Sequence, residues 1–309
     1  MVSRRSRWVG LGGAEFMLLL VAAVWGSSYA VAKTATQQLP VLEFLALRFG
    51  LTFIVLLPAL KPLLGVQARK GLVVAGILGA NLLAIFVCET FGVSLTAASN
   101  AAFLISLCVA ITPLAEWWLL GERPQARMFW AAGVSAVGAA MLSLTSPADM
   151  SLGWGDGLML LAACLRACMV CLTRRLAGRH ALPALTLTAV QAGVIAIGAL
   201  LLALGQSKGS LAPLPTASGF WWAMAWLVLA CTVFAFFAQN HAAARSSPSR
   251  VSLLMGSEPV FGALVAVHWL GEDIRPLGWI GGLLIVAAAL WVTLPSRGAR
   301  PALTVPSPS

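Results

Sequence analysis

Ten apolar stretches, each long enough to cross a bilayer, run along the chain and are separated by short breaks that contain proline, glycine or charge. A membrane-spanning helix needs roughly 20 apolar residues. Because the apolar residues are continuous and do not alternate with polar ones, the pattern favours helices over the strands of a barrel. We predict spans at 15–35, 41–60, 71–90, 97–118, 128–146, 156–174, 183–205, 219–242, 250–270 and 277–294.

The composition indicates that these helices fold in lipid rather than in water. Hydrophobic residues make up 60% of the chain, charged residues only 10%, and the mean hydropathy is +0.92. A soluble domain carries roughly 25% charged residues, so lipid is the expected solvent. In lipid the backbone must satisfy its own hydrogen bonds, which predicts an all-α integral membrane protein.

The net charge of +10 follows a sided pattern, and without interleaved aromatic residues it does not indicate nucleic-acid binding. If the N-terminus is cytoplasmic, fifteen basic residues lie in cytoplasmic segments and three lie outside. This bias predicts a multi-pass protein of the cell (plasma or inner) membrane with both termini in the cytoplasm. The inside set is Arg4, Arg5, Arg7, Lys61, Arg69, Lys70, Arg123, Arg127, Arg174, Arg175, Arg179, Arg245, Arg250, Arg297 and Arg300; the outside set is Lys33, Lys208 and Arg275.

The first apolar stretch has a second interpretation. Three arginines, an apolar run and Ala30-Val31-Ala32 also fit a cleavable signal peptide. We expect the segment to be retained, because the run from Phe16 to Ala32 is longer than most signal cores and the internal repeat requires this helix.

A weak internal repeat divides the ten spans into two sets of five. A shift of 150 residues places Leu120-Gly121-Glu122 on Leu270-Gly271-Glu272. An odd number of spans in each half makes the second half enter the membrane upside down, an architecture common among transporters. We predict a basic N-terminus at 1–14, a first five-helix repeat at 15–146, a linker at 147–155, a second repeat at 156–294 and a disordered tail at 295–309.

Several short motifs, in order along the chain, resemble the drug/metabolite transporter superfamily, specifically its EamA-domain members. They are Trp25-Gly26-Ser27-Ser28, Pro40 followed by Arg48, the run from Ala98 to Leu104 with Pro113 and Gly121-Glu122, and Ser257-Glu258-Pro259 with Leu270-Gly271-Glu272. The resemblance spans residues 15–294. It implies ten helices in two inverted repeats, a central cavity, and export of small metabolites or drugs by alternating access. The chain departs from the family at Arg166, where a small or apolar residue is expected.

Three ionisable residues fall deep within predicted spans, where charge is costly and marks a functional site by default. Glu258 precedes a proline that can kink the ninth helix and expose a carboxylate to a cation, a proton or a substrate amine. Arg166 can hold a substrate carboxylate or phosphate through paired hydrogen bonds. Each could instead be a structural ion-pair partner. We expect Arg48 to be structural and to pair with Glu43 or a helix end.

The remaining candidates are polar or aromatic. Substrate contact is predicted for Trp25, Ser28, Asn100 and Gln239, together with Arg166 and Glu258, and simple packing is the alternative. Glu89 and Glu258 are the candidates for proton coupling. Structural or gating roles are expected for Arg48, Pro113, Pro259, Glu122 and Glu272.

The sequence favours a secondary transporter of a small, amino-acid-like or amphipathic solute. The alternatives are a passive channel and a membrane-embedded enzyme, and we predict that Glu89 and Glu258 lie too far apart along their helices for a catalytic pair. No zincin or phosphate-loop motif occurs, so no enzyme activity, cofactor or metal is predicted. Cys164, Cys168 and Cys171 are expected to be apolar filler. The expected partners are the bilayer, a small-molecule substrate and a proton as candidate coupling ion; monomer and homodimer both remain open.

Overall fold

The computed structural model describes residues 13–64, 68–95, 104–143, 153–176, 182–207, 209–270 and 275–294, and these contain no β-strand. Four helices (α3, α6, α7 and α8 below) are long and apolar enough to span a membrane alone. The prediction of an all-α membrane protein is therefore confirmed. The helices are α1 (Gly13–Thr36), α2 (Val41–Val55), α3 (Ala68–Leu95), α4 (Cys108–Leu120), α5 (Ala126–Ser143), α6 (Trp154–Leu176), α7 (Ala184–Gln206), α8 (Ser218–Ala243), α9 (Pro248–Met255), α10 (Glu258–Leu270) and α11 (Pro276–Thr293).

Three of the predicted spans are not regular helices. The second bends by 66° where α2 meets a 3₁₀ helix at Leu57–Leu64, because Pro58, the second residue of that helix, has no N–H to donate to the Ile54 carbonyl and cannot continue the α-helical ladder. The eighth, α8, contains a π-helical turn at Leu229–Phe234. The ninth is two helices, α9 and α10, separated at Gly256 and Ser257. The beginning of the fourth predicted span, 97–103, lies outside the described residues.

The helix contacts follow an approximate two-fold exchange of the two halves. Helix α2 packs against α7, and α5 packs against α11, so each of these pairs is its own counterpart. The α3–α6 contact corresponds to the contact between α8 and α1, and the α4–α6 contact corresponds to that between α10 and α1. Since five spans separate the members of each pair, the halves have opposite orientations, as the repeat predicts.

Polar contacts join many helix termini at one end of the bundle, which we call the basic end. Arg250 at the start of α9 pairs with Glu15 near the start of α1. The other contacts run from Arg175 Nη1 to the Leu119 carbonyl (3.1 Å), from Arg127 Nη1 to the Leu294 carbonyl (2.7 Å), and from Arg174 Nη1 to the Ala244 carbonyl (2.9 Å). The starts of α1, α5 and α9 and the ends of α4, α6, α8 and α11 thus lie at the same end of the bundle. This is the alternation expected of successive spans.

Glycine allows the closest approach between α5 and α11. A Cβ atom at Gly138 would lie 2.5 Å from the Gly281 carbonyl oxygen and 3.0 Å from the Ile285 side chain. Gly133, on the same helix, has open space around the corresponding position. The small size of Gly138 therefore serves a contact between two helices of the same chain.

We expect Gly138→Ala to lower the melting temperature of the detergent-purified protein by several degrees, because the new methyl group meets backbone and overpacking costs about 1–3 kcal/mol. Gly133→Ala is the matched control. It adds the same group to the same helix in open space, so its melting temperature should be unchanged or slightly higher. Equal melting temperatures for the two variants would contradict the close α5–α11 contact.

Candidate functional site

Arg166 and Glu258 form an ion pair in the interior of the bundle. The Arg166 Nη2 atom lies 3.1 Å from Glu258 Oε2, and the two side chains are 16% and 10% exposed. Arg166 lies near the middle of α6, and Glu258 is the first residue of α10. Two of the three ionisable residues that the sequence places deep in the spans are therefore brought together, and both side chains remain partly exposed.

The break between α9 and α10 positions the Glu258 carboxylate. Helix α9 ends at Met255, and the Ser257 hydroxyl donates to the Leu254 carbonyl at 2.8 Å. The interruption lies where Pro259 is predicted to kink the ninth helix, because its missing N–H leaves the carbonyl of Met255, the last residue of α9, without its usual donor. Pro259 itself lies in the first turn of α10, where its missing N–H is not needed. A carboxylate in this turn is favoured by the positive end of the helix dipole.

Trp25 lies against both this pair and the π-helical turn of α8. Its indole Nε1 donates to the Cys231 carbonyl at 2.8 Å, and the Arg166 guanidinium carbon lies 5.3 Å from the centre of a Trp25 ring. That distance is within the range of a cation–π contact. These two interior contacts explain why Trp25 lies in the middle of the first predicted span.

Gly26 brings Trp25 close to Glu258. A Cβ atom at Gly26 would lie 2.6 Å from the backbone nitrogen of Gly262 and 2.7 Å from the carbonyl oxygen of Glu258. Only glycine allows α1 to touch the first turn of α10 at this distance. The space that the missing side chain of Gly26 leaves is thus filled by the backbone of α10.

Arg48 is buried and contacts the same π-helical turn. Its Nε atom donates to the Thr232 hydroxyl at 3.1 Å, and its guanidinium carbon lies 5.4 Å and 5.7 Å from the ring centres of Phe49 and Phe86. The predicted pairing of Arg48 with Glu43 or a helix end is wrong. Glu43 instead accepts a hydrogen bond from the Ala212 backbone N–H at 3.0 Å, because the two residues lie at different depths of α2.

Glu89 completes a group of four interior charges. It interacts electrostatically with Arg48, Arg166 and Glu258, although the ion pairs among the described residues do not include it. Both carboxylates therefore interact with Arg166, and the prediction that Glu89 and Glu258 are too far apart along their helices for a catalytic pair stays a prediction. Two arginines and two glutamates balance in formal charge. We call Trp25, Arg48, Glu89, Arg166 and Glu258 the central charged site.

Other predicted residues lie elsewhere or serve local structure. The Ser28 hydroxyl donates to the Trp25 carbonyl at 2.7 Å within its own helix, and Gln239 is half-buried in α8. Pro113 is buried inside α4, and Glu122 is exposed in the turn after it. Asn100 and Glu272 lie outside the described residues.

Two functional contacts were not predicted. Thr232 was missed because one hydroxyl in an apolar span gives no signal, and its role depends on Arg48 in a distant helix. Glu116 is buried, and it accepts hydrogen bonds from the Ser249 backbone N–H at 2.9 Å and from the Ser249 hydroxyl. This carboxylate therefore caps the start of α9 from α4.

Comparison with known proteins identifies what this chain is similar to. The model of the EamA-like transporter family matches residues 12–144 and again 153–294. An "uncharacterized transporter" of Archaeoglobus fulgidus is 25% identical over 290 residues, which cover 91% of this chain and 86% of that protein. A protein crystal structure is similar in fold, with a TM-score of 0.71 at 21% identity over 91% of this chain and 96% of the other.

The Arg166–Glu258 pair predicts a non-additive effect on stability. Arg166→Gln or Glu258→Gln alone should lower the melting temperature, because removing one partner leaves an interior charge uncompensated, which costs about 3–5 kcal/mol in fully buried pairs and less in this partly exposed one. The double variant should melt above at least one of the single variants. Additive losses in the double variant would show that the two side chains do not depend on each other.

Proposed function

The chain belongs to the EamA-like transporter family, and on that premise we propose that it is a secondary transporter that exports or exchanges a small amphipathic, amino-acid-like metabolite or drug. The observation that carries this proposal is the partly exposed Arg166–Glu258 pair beside Trp25. An ion pair in a low-dielectric interior is a site that a ligand with both charges can enter without leaving either partner unpaired.

The chemistry of the central charged site favours a zwitterion. In the proposed complex a substrate carboxylate accepts hydrogen bonds from Arg166, and a substrate ammonium donates to Glu258. The apolar part of the substrate contacts the Trp25 ring. Because the interior arginines and glutamates already balance, a solute with no net charge keeps the interior neutral.

Alternating access is supported by how contacts cross between the halves. At the basic end Arg250 of α9 pairs with Glu15 of α1, and Arg175 of α6 donates to α4. In the interior Trp25 of α1 donates to α8. We propose that the basic-end contacts, which by the positive-inside rule face the cytoplasm of a cell or inner membrane, break when the site opens to that side.

Glu89 is the better of the two candidates for proton coupling. Glu258 is held by Arg166 at 3.1 Å, whereas Glu89 interacts with both arginines and with Glu258 without being a member of a described ion pair. A change in its protonation alters the charge balance of the site. We propose that Glu89 carries the coupled proton and that Glu258 binds substrate.

The substrate-binding role is tested by transport into proteoliposomes with a panel of labelled amino acids, amines and amphipathic drugs. We expect saturable flux of a zwitterionic solute, reduced at least about tenfold by Arg166→Ala or Glu258→Gln, because each variant loses a charge-assisted contact worth more than about 1.4 kcal/mol. Arg123→Gln, which alters an exposed arginine over Trp117, is the control. Flux at wild-type level in both site variants would refute the assignment.

The proposed role of Glu89 in proton coupling is tested by measuring net transport and solute exchange separately. Wild-type protein should drive net flux of a transported solute when a proton gradient is imposed. Glu89→Gln should lose this dependence and retain solute exchange at equal concentrations, because the substrate contacts at Arg166 and Glu258 are intact. Wild-type flux that does not respond to the gradient would exclude proton coupling altogether.

A further inference from the structure

A cavity of about 500 Å³ lies at the basic end between α3, α6, α7 and α8. Residues that line it include Val74, Thr173, Pro183, Asn240 and Arg245, and none belongs to the central charged site. Its volume is in the range of cavities that hold small organic ligands. It is therefore a second place where this protein can bind a solute.

The cationic side of the cavity is formed by Arg245 and His241. The Arg245 Nη1 atom lies 2.9 Å from His241 Nδ1. Because a guanidinium can only donate, Nδ1 must accept, and the neutral imidazole then carries its hydrogen on Nε2. Arg245 is exposed, so this pair presents both a positive charge and an additional N–H donor.

The first turn of α7 adds to the attraction for an anion. Pro183 and Ala184 line the cavity, and no described side chain caps this helix terminus. The first N–H groups of a helix have no partner within the helix and carry the positive end of its dipole. With Arg245 and His241 beside it, the turn faces a cavity whose described lining contains no aspartate or glutamate.

A buried amide fixes the inner polar wall. The Thr188 hydroxyl donates to the Ala184 carbonyl at 2.9 Å, so it must accept from Asn240 Nδ2 at 3.1 Å. Asn240 Nδ2 also donates to Gln191 Oε1 at 2.9 Å. Both amide hydrogens of Asn240 are therefore used, which fixes the orientation of this residue in the cavity lining.

Apolar side chains form the rest of the lining. Val74 and Leu78 come from α3, Leu187 from α7 and Phe237 from α8. A simple inorganic anion has no carbon chain to contact these apolar side chains. An amphiphile would place its charged group against Arg245 and its carbon chain against these residues.

We propose that this basic-end cavity binds the phosphate or carboxylate head of an amphiphilic anion. Two sources offer that chemistry, namely an anionic phospholipid of the surrounding membrane and a soluble organic anion. The proposal is independent of the substrate assigned to the central charged site, because the two sites share no residue.

The test uses the full-length protein in phosphatidylcholine nanodiscs and hexyl phosphate as the probe. We expect a saturable rise in melting temperature with hexyl phosphate, since a ligand that binds the folded state stabilises it, and no saturable rise with hexyltrimethylammonium. Arg245→Gln should weaken the apparent affinity at least about tenfold. Arg123→Gln, an arginine outside the cavity, should bind as the wild type does.

No saturable shift, equal shifts with the anionic and cationic probes, or unchanged affinity in Arg245→Gln would each overturn the proposal. Native mass spectrometry then identifies the source. Phospholipid retained by the wild type and lost in Arg245→Gln indicates a lipid head group. Hexyl phosphate binding without retained phospholipid indicates a soluble anion. Because the cavity shares no residue with the central charged site, hexyl phosphate binding that depends on Arg245 would hold even if the transport assignment failed, so the two failures are distinguishable.

Discussion

Two arginines and two glutamates share the apolar interior of this protein, and their mutual neutralisation constrains the rest of the structure. Ions are expensive to bury in hydrocarbon unless they are paired and hydrogen-bonded. Arg48, Glu89, Arg166 and Glu258 come from α2, α3, α6 and α10, so helices from both halves must converge for the charges to balance. Aromatic rings also contact the two arginines: Arg48 lies over the ring of Phe49, and Arg166 lies over a ring of Trp25.

Irregular backbone surrounds the same charges. The π-helical turn of α8 supplies the Cys231 carbonyl to Trp25 and the Thr232 hydroxyl to Arg48. The break before α10 supplies a helix terminus to Glu258. Non-helical backbone is tolerated at membrane depth only where protein or a water-filled cavity covers it. In transporters such discontinuities accompany ligand sites near the midplane, and here they meet the only ion pair that the described residues form in the interior.

Sequence patterns predict the parts of this molecule that depend on local chemistry. Apolar length predicts the helices, and an intramembrane charge marks Arg166 and Glu258 because each is unusual by itself. The partner of Arg48 could not be read from sequence, because Thr232 lies 184 residues away and lies on a π-helical turn that no residue pattern announces. Pro259 shows a related limit: a proline within an apolar run predicts an interruption of the helix, but not that the interruption covers Gly256 and Ser257 and leaves Glu258 as the first residue of α10.

The crossing of α5 and α11 has a mechanical meaning. Each helix is the counterpart of the other under the exchange of halves, and at Gly138 the two backbones approach closely beside Ile285. A close contact between two helices that exchange with each other lies where a rotation of one half against the other moves atoms least. A rocking motion of the halves would therefore displace atoms least at this crossing and most at the helix ends farthest from it, and the substrate site need not distort the pivot in order to open.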